Sequence, residues 1–230
     1  MNLIALLPMK AHSARVTNKN FREFAGKPLY RWILDTLLSS TIVSTVVMNT
    51  DAEEILGNAA LQRDPRIVLR ERAPELCGDF VSMNRIIEND IGAVPGDLYL
   101  MTHTTNPLLS RQTIESAVHE LVSQREHDSL FTVNRTQTRF YRADGSPVNH
   151  DPENLIRTQD LEPWFEENSN LYLFTRESFQ STAARIGRAP ILFETPRIES
   201  VDIDDAEDWA IAEAIALYTS SDRTQGESTR

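Results

Sequence analysis

The sequence predicts an α/β fold with a mostly parallel, doubly wound sheet, in which helices cover both faces. Short apolar runs alternate with segments whose apolar residues recur at helical spacing, and the connections between them are short. This alternation is typical of parallel strands joined by right-handed crossovers. With 230 residues, the chain can bury a core without disulfides or metals. We therefore predict one domain over residues 1–219, with an excursion at 136–168.

The elements of the first half follow in order. Residues 2–7 are apolar and end at a proline, which predicts a buried first strand. Residues 28–40 open on a proline and have helical spacing, so they predict a helix. Residues 45–49 predict a second buried strand, and residues 51–61 a helix capped by its initial aspartate. The same reasoning predicts strands at 67–69, 98–102 and 129–134, and helices at 82–91 and 110–124.

The alternation breaks at residues 136–168. The pair Asp144-Gly145 is a turn signal within a polar, proline-containing stretch, which predicts a hairpin that leaves the main sheet. The α/β pattern then resumes, with strands at 170–174 and 191–194 and helices at 176–186 and 206–219. Residues 220–230 are polar and without periodicity, so we predict a disordered tail there.

The charge and the cysteine count exclude several classes of protein. Lys and Arg total 23 and Asp and Glu total 34, a net charge of -11, which argues against a general binder of nucleic acid or of anionic membranes. The single Cys77 cannot form a disulfide framework within one chain or a cysteine-based zinc site. No apolar run approaches the ~20 residues that span a bilayer, and no secretion signal is evident, so we expect a cytoplasmic location.

A basic loop follows the first strand. Residues 8–20 carry Lys10, Arg15 and Lys19 and have no helical period. Ligands of parallel sheets bind beyond the carboxyl ends of the strands, where cations and backbone N–H groups can hold phosphates. Both the G-x-x-x-x-G-K and the G-x-G-x-x-G patterns are absent. Composition alone leaves two interpretations open, a nucleotide triphosphate loop and an ordinary solvated loop.

Four segments, at residues 6–29, 97–108, 157–174 and 200–208, carry motifs that together resemble the acylneuraminate cytidylyltransferase family. Residues 6–29, LLPMKAHSARVTNKNFREFAGKPL, resemble its opening signature. Three more segments follow in the family's order: DLYLMTHTTNPL at 97–108, RTQDLEPWFEENSNLYLF at 157–174 and SVDIDDAED at 200–208. The four segments are spread over nearly the whole chain, and the tail after Thr219 is not covered. The resemblance implies a Rossmann-like nucleotidyltransferase fold and Mg²⁺-dependent transfer of CMP from CTP to an acceptor oxygen, with release of pyrophosphate.

The resemblance also implies the residues that bind CTP and metal. Asp202 and Asp204 would alternate on a strand and present both carboxylates to Mg²⁺. Asp205 would instead cap the last helix, with Asp208 in its first turn; alternatively the whole acidic run is a helix N-terminus. Lys10, Lys19 and Asp204 are the expected catalytic groups. The expected nucleotide-binding residues are Pro8, Lys10, Ser13, Arg15, Lys19, Asn20, Ser82 and Asn84, of which the last two could equally cap a helix.

The acceptor site is expected on other segments. Arg157 could grip an anionic group of the acceptor in bidentate fashion, or it could form a surface ion pair. The complete set of expected acceptor-binding residues is His103, Thr105, Arg157, Gln159 and Asn168. Members of the family pair through the excursion, so a homodimer is expected, with Phe140, Tyr141, Trp164 and Phe165 as apolar anchors.

Departures from the family pattern keep several functions open. Lys10 stands where the family has arginine, and Ala11-His12 replaces Gly-Gly. Residues 103–106, HTTN, stand where the family has a Q-P-T-S loop. The leading hypothesis is transfer of CMP to a sialic-acid-like 2-keto acid. The alternatives are a phosphonate or phosphorylated acceptor and a degenerate relative that only binds nucleotide. A glycosyltransferase is disfavoured because the D-x-D pattern lies near the C-terminus.

Overall fold

The computed structural model describes residues 1–13 and 16–227, and for residues 220–227 it describes the backbone alone. The strands are β1 (Leu3–Leu6), β2 (Glu23–Phe24), β3 (Lys27–Pro28), β4 (Val43–Thr50), β5 (Ile67–Glu71), β6 (Leu98–Met101), β7 (Ser129–Thr136), β8 (Trp164–Thr175) and β9 (Pro190–Glu194). The helices are α1 (Leu29–Ser39), α2 (Glu53–Leu56), α3 (Ala59–Arg63), α4 (Met83–Ala93), α5 (Arg111–Ser123), α6 (Arg176–Thr182) and α7 (Ala206–Glu227).

Seven strands form one sheet in the order β5-β4-β1-β6-β8-β7-β9. Strands β5, β4, β1 and β6 are parallel to one another, and β7 is parallel to β9. Strand β8 runs antiparallel to both of its neighbours. The mostly parallel sheet is therefore confirmed. Strand β8 is the exception because no crossover helix separates it from β7. Two neighbouring strands that are joined without a crossover pair antiparallel.

Alternate side chains of β1 enter different cores, which is the signature of a doubly wound sheet. Leu3 and Ala5 pack in a cluster that includes apolar residues of α1 and α5. Ile4 and Leu6 pack in a second cluster with residues of α4 and α6. A third cluster joins α7 to the β2–β3 hairpin, where the rings of Phe24 and Trp209 meet edge to face at 5.3 Å. This third cluster holds the start of α7 close to the basic first loop.

The prediction of one helix over residues 51–61 is wrong. Two short helices, α2 and α3, are separated by Gly57-Asn58. The Asn58 side chain accepts hydrogen bonds from the N–H groups of Ala60 and Leu61, so it caps α3 and favours a new start over continuation. Asp51 does not cap a helix, because its carboxylate accepts the Ala11 N–H at 2.7 Å.

Two other helix boundaries also differ from the prediction. Helix α6 ends at Thr182 rather than at residue 186, because Ala183 adopts a left-handed conformation with φ 52°. Helix α7 continues to Glu227, where the sequence predicted a disordered tail from residue 220. Residues 228–230 lie outside the described part of the chain.

The excursion proper covers residues 137–163, between β7 and β8. It contains an isolated antiparallel bridge between Tyr141 and Pro147, as the turn signal predicted. Trp164 and Phe165 belong to β8 rather than to the loop, since they pair with the end of β7. The ring of Trp164 stacks on Phe140 at 5.2 Å, and the side chain of Tyr141 is exposed. A role in pairing two copies stays a prediction.

Candidate active site at the carboxyl edge of the sheet

The first loop begins as a continuation of β1 along the carboxyl edge of the sheet. The N–H groups of Leu7 and Met9 donate to carbonyls of β4 at 2.8 and 2.9 Å. Arg72, which follows β5 and is buried, donates to the Met9 carbonyl at 3.1 Å and to the Asn49 side chain at 2.9 Å. Burial lowers the pKa of Arg72. A buried guanidinium thus fixes where the loop leaves the sheet.

The same network reaches α4 through a buried carboxylate. Asp90 accepts hydrogen bonds from Asn49 and Arg70, each at 2.7 Å, and burial raises the pKa of Asp90. Sequence reasoning missed Arg72 and Asp90. The available signals were a charged residue on the apolar face of a predicted helix and an arginine that follows a predicted strand.

Asn20 ties the first loop to the loop after β6. Its amide donates to the Lys10 carbonyl at 2.8 Å, and its carbonyl accepts the Thr104 hydroxyl at 2.7 Å. The side chain is buried, so its local role is to join two loops at the sheet edge. Pro8 is buried at the start of the loop, and Ser13 is half-buried. The expected phosphate ligand Arg15 lies outside the described residues.

The two lysines of the loop have different surroundings. Lys19 is 9% exposed, and its ammonium donates to the Ile203 carbonyl at 2.6 Å. Lys10 is far more exposed, and its ammonium lies 3.0 Å from a carboxylate oxygen of Asp79. Lys19 therefore brings the acidic segment 201–204 to the first loop, while Lys10 contacts the loop that precedes α4.

The prediction that Asp202 and Asp204 alternate on a strand is wrong, although the two carboxylates do influence each other. Residues 201–204 belong to no strand; the Ile203 N–H donates to the Thr105 carbonyl at 2.9 Å, and the Ile203 side chain is buried. Burial, assisted by the charges of Asp204 and Asp208, raises the pKa of Asp202, while a hydrogen bond from Thr105 and the Lys19 charge oppose this shift.

The expected helix cap after this segment is confirmed. Asp205 accepts the N–H groups of Glu207 and Asp208 at 2.8 and 3.0 Å, and Asp208 accepts the Asp205 N–H in return at 3.1 Å. This reciprocal capping box fixes the entry of α7. The interpretation of the acidic run as a helix N-terminus thus holds for Asp205 and Asp208 but leaves Asp202 unexplained.

A cation fits the surroundings of Asp202. Its Oδ1 is buried and has no hydrogen-bond partner among the described residues. Carboxylate oxygens are hard ligands that suit Mg²⁺, which commonly takes one or two carboxylates and completes its shell with water and substrate phosphates. The described part of the chain contains no group of three or more His, Cys, Asp or Glu that could hold a metal by themselves. Asp202 and Asp204 can therefore supply part of a magnesium shell.

His103 follows β6 at the same edge of the sheet. Burial lowers the pKa of His103 to about 4, and the positive charges of Arg185 and Lys19 contribute to the shift. The imidazole is therefore neutral at pH 7, with one nitrogen that donates a hydrogen bond and one that accepts. Such a group can orient a polar substrate without adding charge.

Beside His103 lies a group of charged and phenolic side chains that sequence reasoning missed. The Arg185 guanidinium lies 3.8 Å above the centre of the Tyr172 ring and donates to its hydroxyl at 2.9 Å. The same guanidinium is 3.5 Å from the Glu167 carboxylate, which also accepts the Tyr172 hydroxyl. Burial raises the pKa of Tyr172 to about 12, so the phenol stays protonated.

This group borders a cavity of about 330 Å³ at the start of α4. Ser82 caps α4 by accepting the Asn84 N–H at 3.3 Å, which confirms the helix-cap interpretation for Ser82. Asn84 accepts the Arg185 backbone N–H at 3.3 Å. The lining residues are Ser82, Met83, Asn84, Glu167, Ala184, Arg185 and Ile186.

Three of the expected acceptor residues lie elsewhere within this copy of the chain. Arg157 is exposed and forms a bidentate ion pair with Asp160 at 2.7 and 3.0 Å, which is the surface-pair alternative. Gln159 is also exposed. Asn168 is buried, and its amide donates to the Thr195 hydroxyl at 2.7 Å and the Asn134 side chain at 3.1 Å. Of the five, His103 and Thr105 lie on the loop that the first loop contacts.

The sheet order, with the basic first loop and the acidic segment at one edge, defines a doubly wound α/β protein, a class whose ligands bind beyond the carboxyl ends of the strands. The fold agrees with that of a solved CMP:2-keto-3-deoxy-manno-octonic acid synthetase complexed with CTP, at a TM-score of 0.68 over 96% of this chain and 100% of that one, with 13% identity. A family model described as cytidylyltransferase matches residues 4–220. The chain belongs to this cytidylyltransferase family.

Two curated relatives show how far the likeness extends. N-acylneuraminate cytidylyltransferase B of Danio rerio is 31% identical over 220 residues, which are 93% of this chain and 51% of that protein. Pseudaminic acid cytidylyltransferase of Campylobacter jejuni is 24% identical over 226 residues, 94% of this chain and 96% of that protein. The chain thus spans about half the length of the fish relative. Within residues 1–13 and 16–227, no helix has the length and apolar character needed to cross a membrane.

Proposed function

We propose that the chain transfers CMP from CTP to a hydroxyl of a 2-keto sugar acid and releases pyrophosphate. The observation that carries the proposal is the meeting of Lys19 with the Asp202 segment at the carboxyl edge, in a chain of the cytidylyltransferase family. A cation beside a carboxylate that retains an unpaired oxygen suits a metal–triphosphate complex. The two relatives, named for N-acylneuraminate and pseudaminic acid, support an acidic nine-carbon sugar as acceptor.

The first loop would hold the triphosphate. Lys10 and Lys19 would neutralise phosphate charge, which develops further as the bond to the leaving pyrophosphate lengthens. Ser13 and Arg15 belong to the same loop and would add hydrogen bonds. Lys10 must exchange its contact with Asp79 for a phosphate oxygen, and this contact is solvent-exposed and therefore weak.

Asp202 and Asp204 would hold Mg²⁺ together with phosphate oxygens of CTP. When bound, the ion supplies charge stabilisation at the transferring phosphoryl group. Lys19 reduces the electrostatic cost of placing two carboxylates together, since its charge opposes the rise in the pKa of Asp202.

His103 would position the acceptor rather than remove its proton. A general base works best when its pKa lies near the operating pH, and a pKa of about 4 makes this imidazole a weak base at pH 7. Its neutral ring can still donate to the acceptor's carboxylate or accept from its hydroxyl.

The excursion would join two copies into a homodimer. Among the described residues, it exposes the apolar side chains of Tyr141, Leu155 and Ile156, beside the exposed Trp164 at the start of β8. Arg157 and Gln159 lie on this same exposed segment. Pairing through the excursion would give them a partner surface that one copy lacks.

The proposal is tested by pyrophosphate release from CTP and Mg²⁺ across a panel of acceptors. The panel contains N-acetylneuraminate, pseudaminic acid, 3-deoxy-manno-octulosonate and a simple phosphonate, each with UTP, ATP and GTP as controls. We expect release with CTP and at least one 2-keto acid. Release with the phosphonate alone would show that the acceptor is a phosphonate rather than a 2-keto acid. CTP binding without release for any acceptor would indicate a relative that only binds nucleotide.

A further inference from the structure

The cavity at the start of α4 has one charged wall. Arg185 and Glu167 face each other there at 3.5 Å, and Tyr172 binds both of them. The Arg185 side chain is 21% exposed and that of Glu167 is 42% exposed, so both groups are accessible from the cleft. The Tyr172 hydroxyl also lies 3.1 Å from the Ser169 hydroxyl. The wall is thus preorganised by contacts among its own members.

The wall retains unused hydrogen-bonding capacity. A guanidinium has five N–H donors, and the side-chain hydrogen bond and the ion pair of Arg185 within the described chain both use Nη2. A carboxylate can accept about four hydrogen bonds, so Glu167 also has capacity left. Because the charges of the arginine and the glutamate cancel, the wall has little net charge and does not attract an anion strongly. It offers donors and acceptors side by side, which matches a group that both donates and accepts, such as a hydroxyl.

The wall is placed to meet an acceptor rather than the triphosphate. Tyr172 pairs with Met101 across the β6–β8 ladder, and Met101 comes two residues before His103. The charge of Arg185 reaches His103, since it helps to lower the pKa of that imidazole. The triphosphate loop instead leaves β1, beyond β6 in the sheet order. A molecule that contacts His103 can therefore extend toward Arg185 without crossing the first loop.

We propose that Arg185 and Glu167 form a specificity pocket that binds the hydroxyl-bearing end of the acceptor, the end away from the reacting centre. The inference deepens the proposed function and rests on it. Arg185 donates hydrogen bonds to the hydroxyl oxygens, and Glu167 accepts hydrogen bonds from the hydroxyl groups. A site built to hydrogen-bond a hydroxyl binds an analogue that lacks it more weakly, because the hydrogen bonds from Arg185 and to Glu167 are then not formed. The enzyme therefore prefers acceptors with a polyhydroxylated end over shortened or deoxygenated ones.

The test compares Arg185→Ala with the wild type on two acceptors. One is the panel acid with the highest rate, and the other is its analogue in which the terminal hydroxyl-bearing carbons have been removed. We expect the variant's KM for the full acid to rise about 10- to 100-fold, as for loss of a hydrogen bond to a charged group. The KM for the shortened acid and the KM for CTP should stay unchanged. Arg185→Lys keeps the positive charge but loses the planar guanidinium. It should recover only part of the preference for the full acid over the shortened one.

Arg188→Ala is the matched control. Arg188 lies three residues away, and its guanidinium donates to a backbone carbonyl, that of Ser181, at 3.2 Å. It should leave both acceptor KM values unchanged. Thermal melts of all variants establish that they are folded. The proposal is overturned if Arg185→Ala keeps the wild-type preference, or if it raises the KM for CTP instead.

The two proposals fail in different ways. If the wild type turns over an acid and Arg185→Ala keeps the same preference for the full acid over the shortened one, the specificity pocket is overturned. The proposed cytidylyl transfer then still stands. If the wild type turns over no acid, cytidylyl transfer to this class fails. Calorimetric titration of the same acids into the wild type and Arg185→Ala then decides on the pocket. Equal affinities, or no binding to either protein, overturn it, and weaker binding of the full acid to the variant alone supports it.

Discussion

At the scale of single residues, burial determines the chemistry of the two groups closest to the cleft. Asp202 and His103 are both shifted toward their neutral forms, the first by a raised pKa and the second by a lowered one. Desolvation is the largest cause in each case, because a charge is less stable away from water. These shifts predict how stability and activity respond to substitution.

Asp202→Asn should abolish most of the activity without destabilising the fold. The raised pKa of Asp202 means that its charged form is unfavourable in the folded state. The free energy of unfolding therefore falls as pH rises from 3.8 toward the folded pKa. The uncharged amide of asparagine avoids this loss of stability. Turnover should fall on the order of a hundredfold or more, because stabilisation of charge at the transferring phosphoryl group is lost. Asp204→Asn should also lower turnover by at least this factor. Steady-state rates and thermal melts at pH 7 measure both effects.

Asp205→Ala is the control in the same acidic run. It removes the cap of α7, so it should cost about 1 kcal/mol of stability and leave turnover near the wild-type value. Near-normal turnover in both Asp202→Asn and Asp204→Asn would show that the acidic run serves only as a helix N-terminus.

His103 should make the folded state less stable in acid. The unfolded imidazole takes up its proton near pH 6.5 and the folded one only near pH 4, so stability is full above 6.5 and declines as pH falls through this window. Urea unfolding between pH 7 and 4 should show a shallower decline for His103→Gln. The exposed His119→Gln serves as the control. Identical pH profiles for the wild type and His103→Gln would contradict the lowered pKa.

At the scale of elements, the sequence predicts the strands and most helices because their patterns are local. Periodicity and caps located β1, β4, α4 and α5 to within a few residues. The direction of β8 could not be predicted this way, since it depends on how the chain returns from the excursion. The break between α2 and α3 was missed although Gly57-Asn58 carries its signal.

The site was predictable only in part. Motif resemblance located the first loop and the acidic segment, and the structure joins them through Lys19. Arg72 and Arg185 were missed because their roles depend on contacts with residues distant in sequence. Arg157 is expected in the acceptor site because its residue type suits an anion. Within one copy its guanidinium pairs with a carboxylate three residues away, and a role in the acceptor site stays a prediction.

The buried network under the first loop should couple stability to nucleotide binding. Arg72→Ala leaves the Met9 carbonyl and the Asn49 side chain without their partner, at a cost of about 2–4 kcal/mol. Because the start of the loop is then less fixed, the KM for CTP should also rise. The exposed Arg63→Ala, at the end of α3, is the control and should change neither quantity. An unchanged denaturation midpoint for Arg72→Ala would contradict this role.

At the scale of the whole molecule, the exposed apolar residues of the excursion predict association. We expect light scattering after size exclusion to give twice the mass of one chain. The double variant Tyr141→Ser, Ile156→Ser should give the monomer mass, because it removes apolar area from that surface. The control Leu217→Ser lies at an exposed position of α7. A wild-type monomer, or dissociation caused by Leu217→Ser alone, would contradict pairing through the excursion.

The central claim is that the nucleotide's α-phosphorus is transferred to an acid. The most direct measurement uses CTP labelled at the α-phosphorus, with Mg²⁺ and the panel of 2-keto acids, followed by separation of the products. We expect the label to appear in a CMP-acid conjugate, in amounts equal to the unlabelled pyrophosphate released. Label that remains in CTP with every acid, or that appears in free CMP with no conjugate formed, would contradict it.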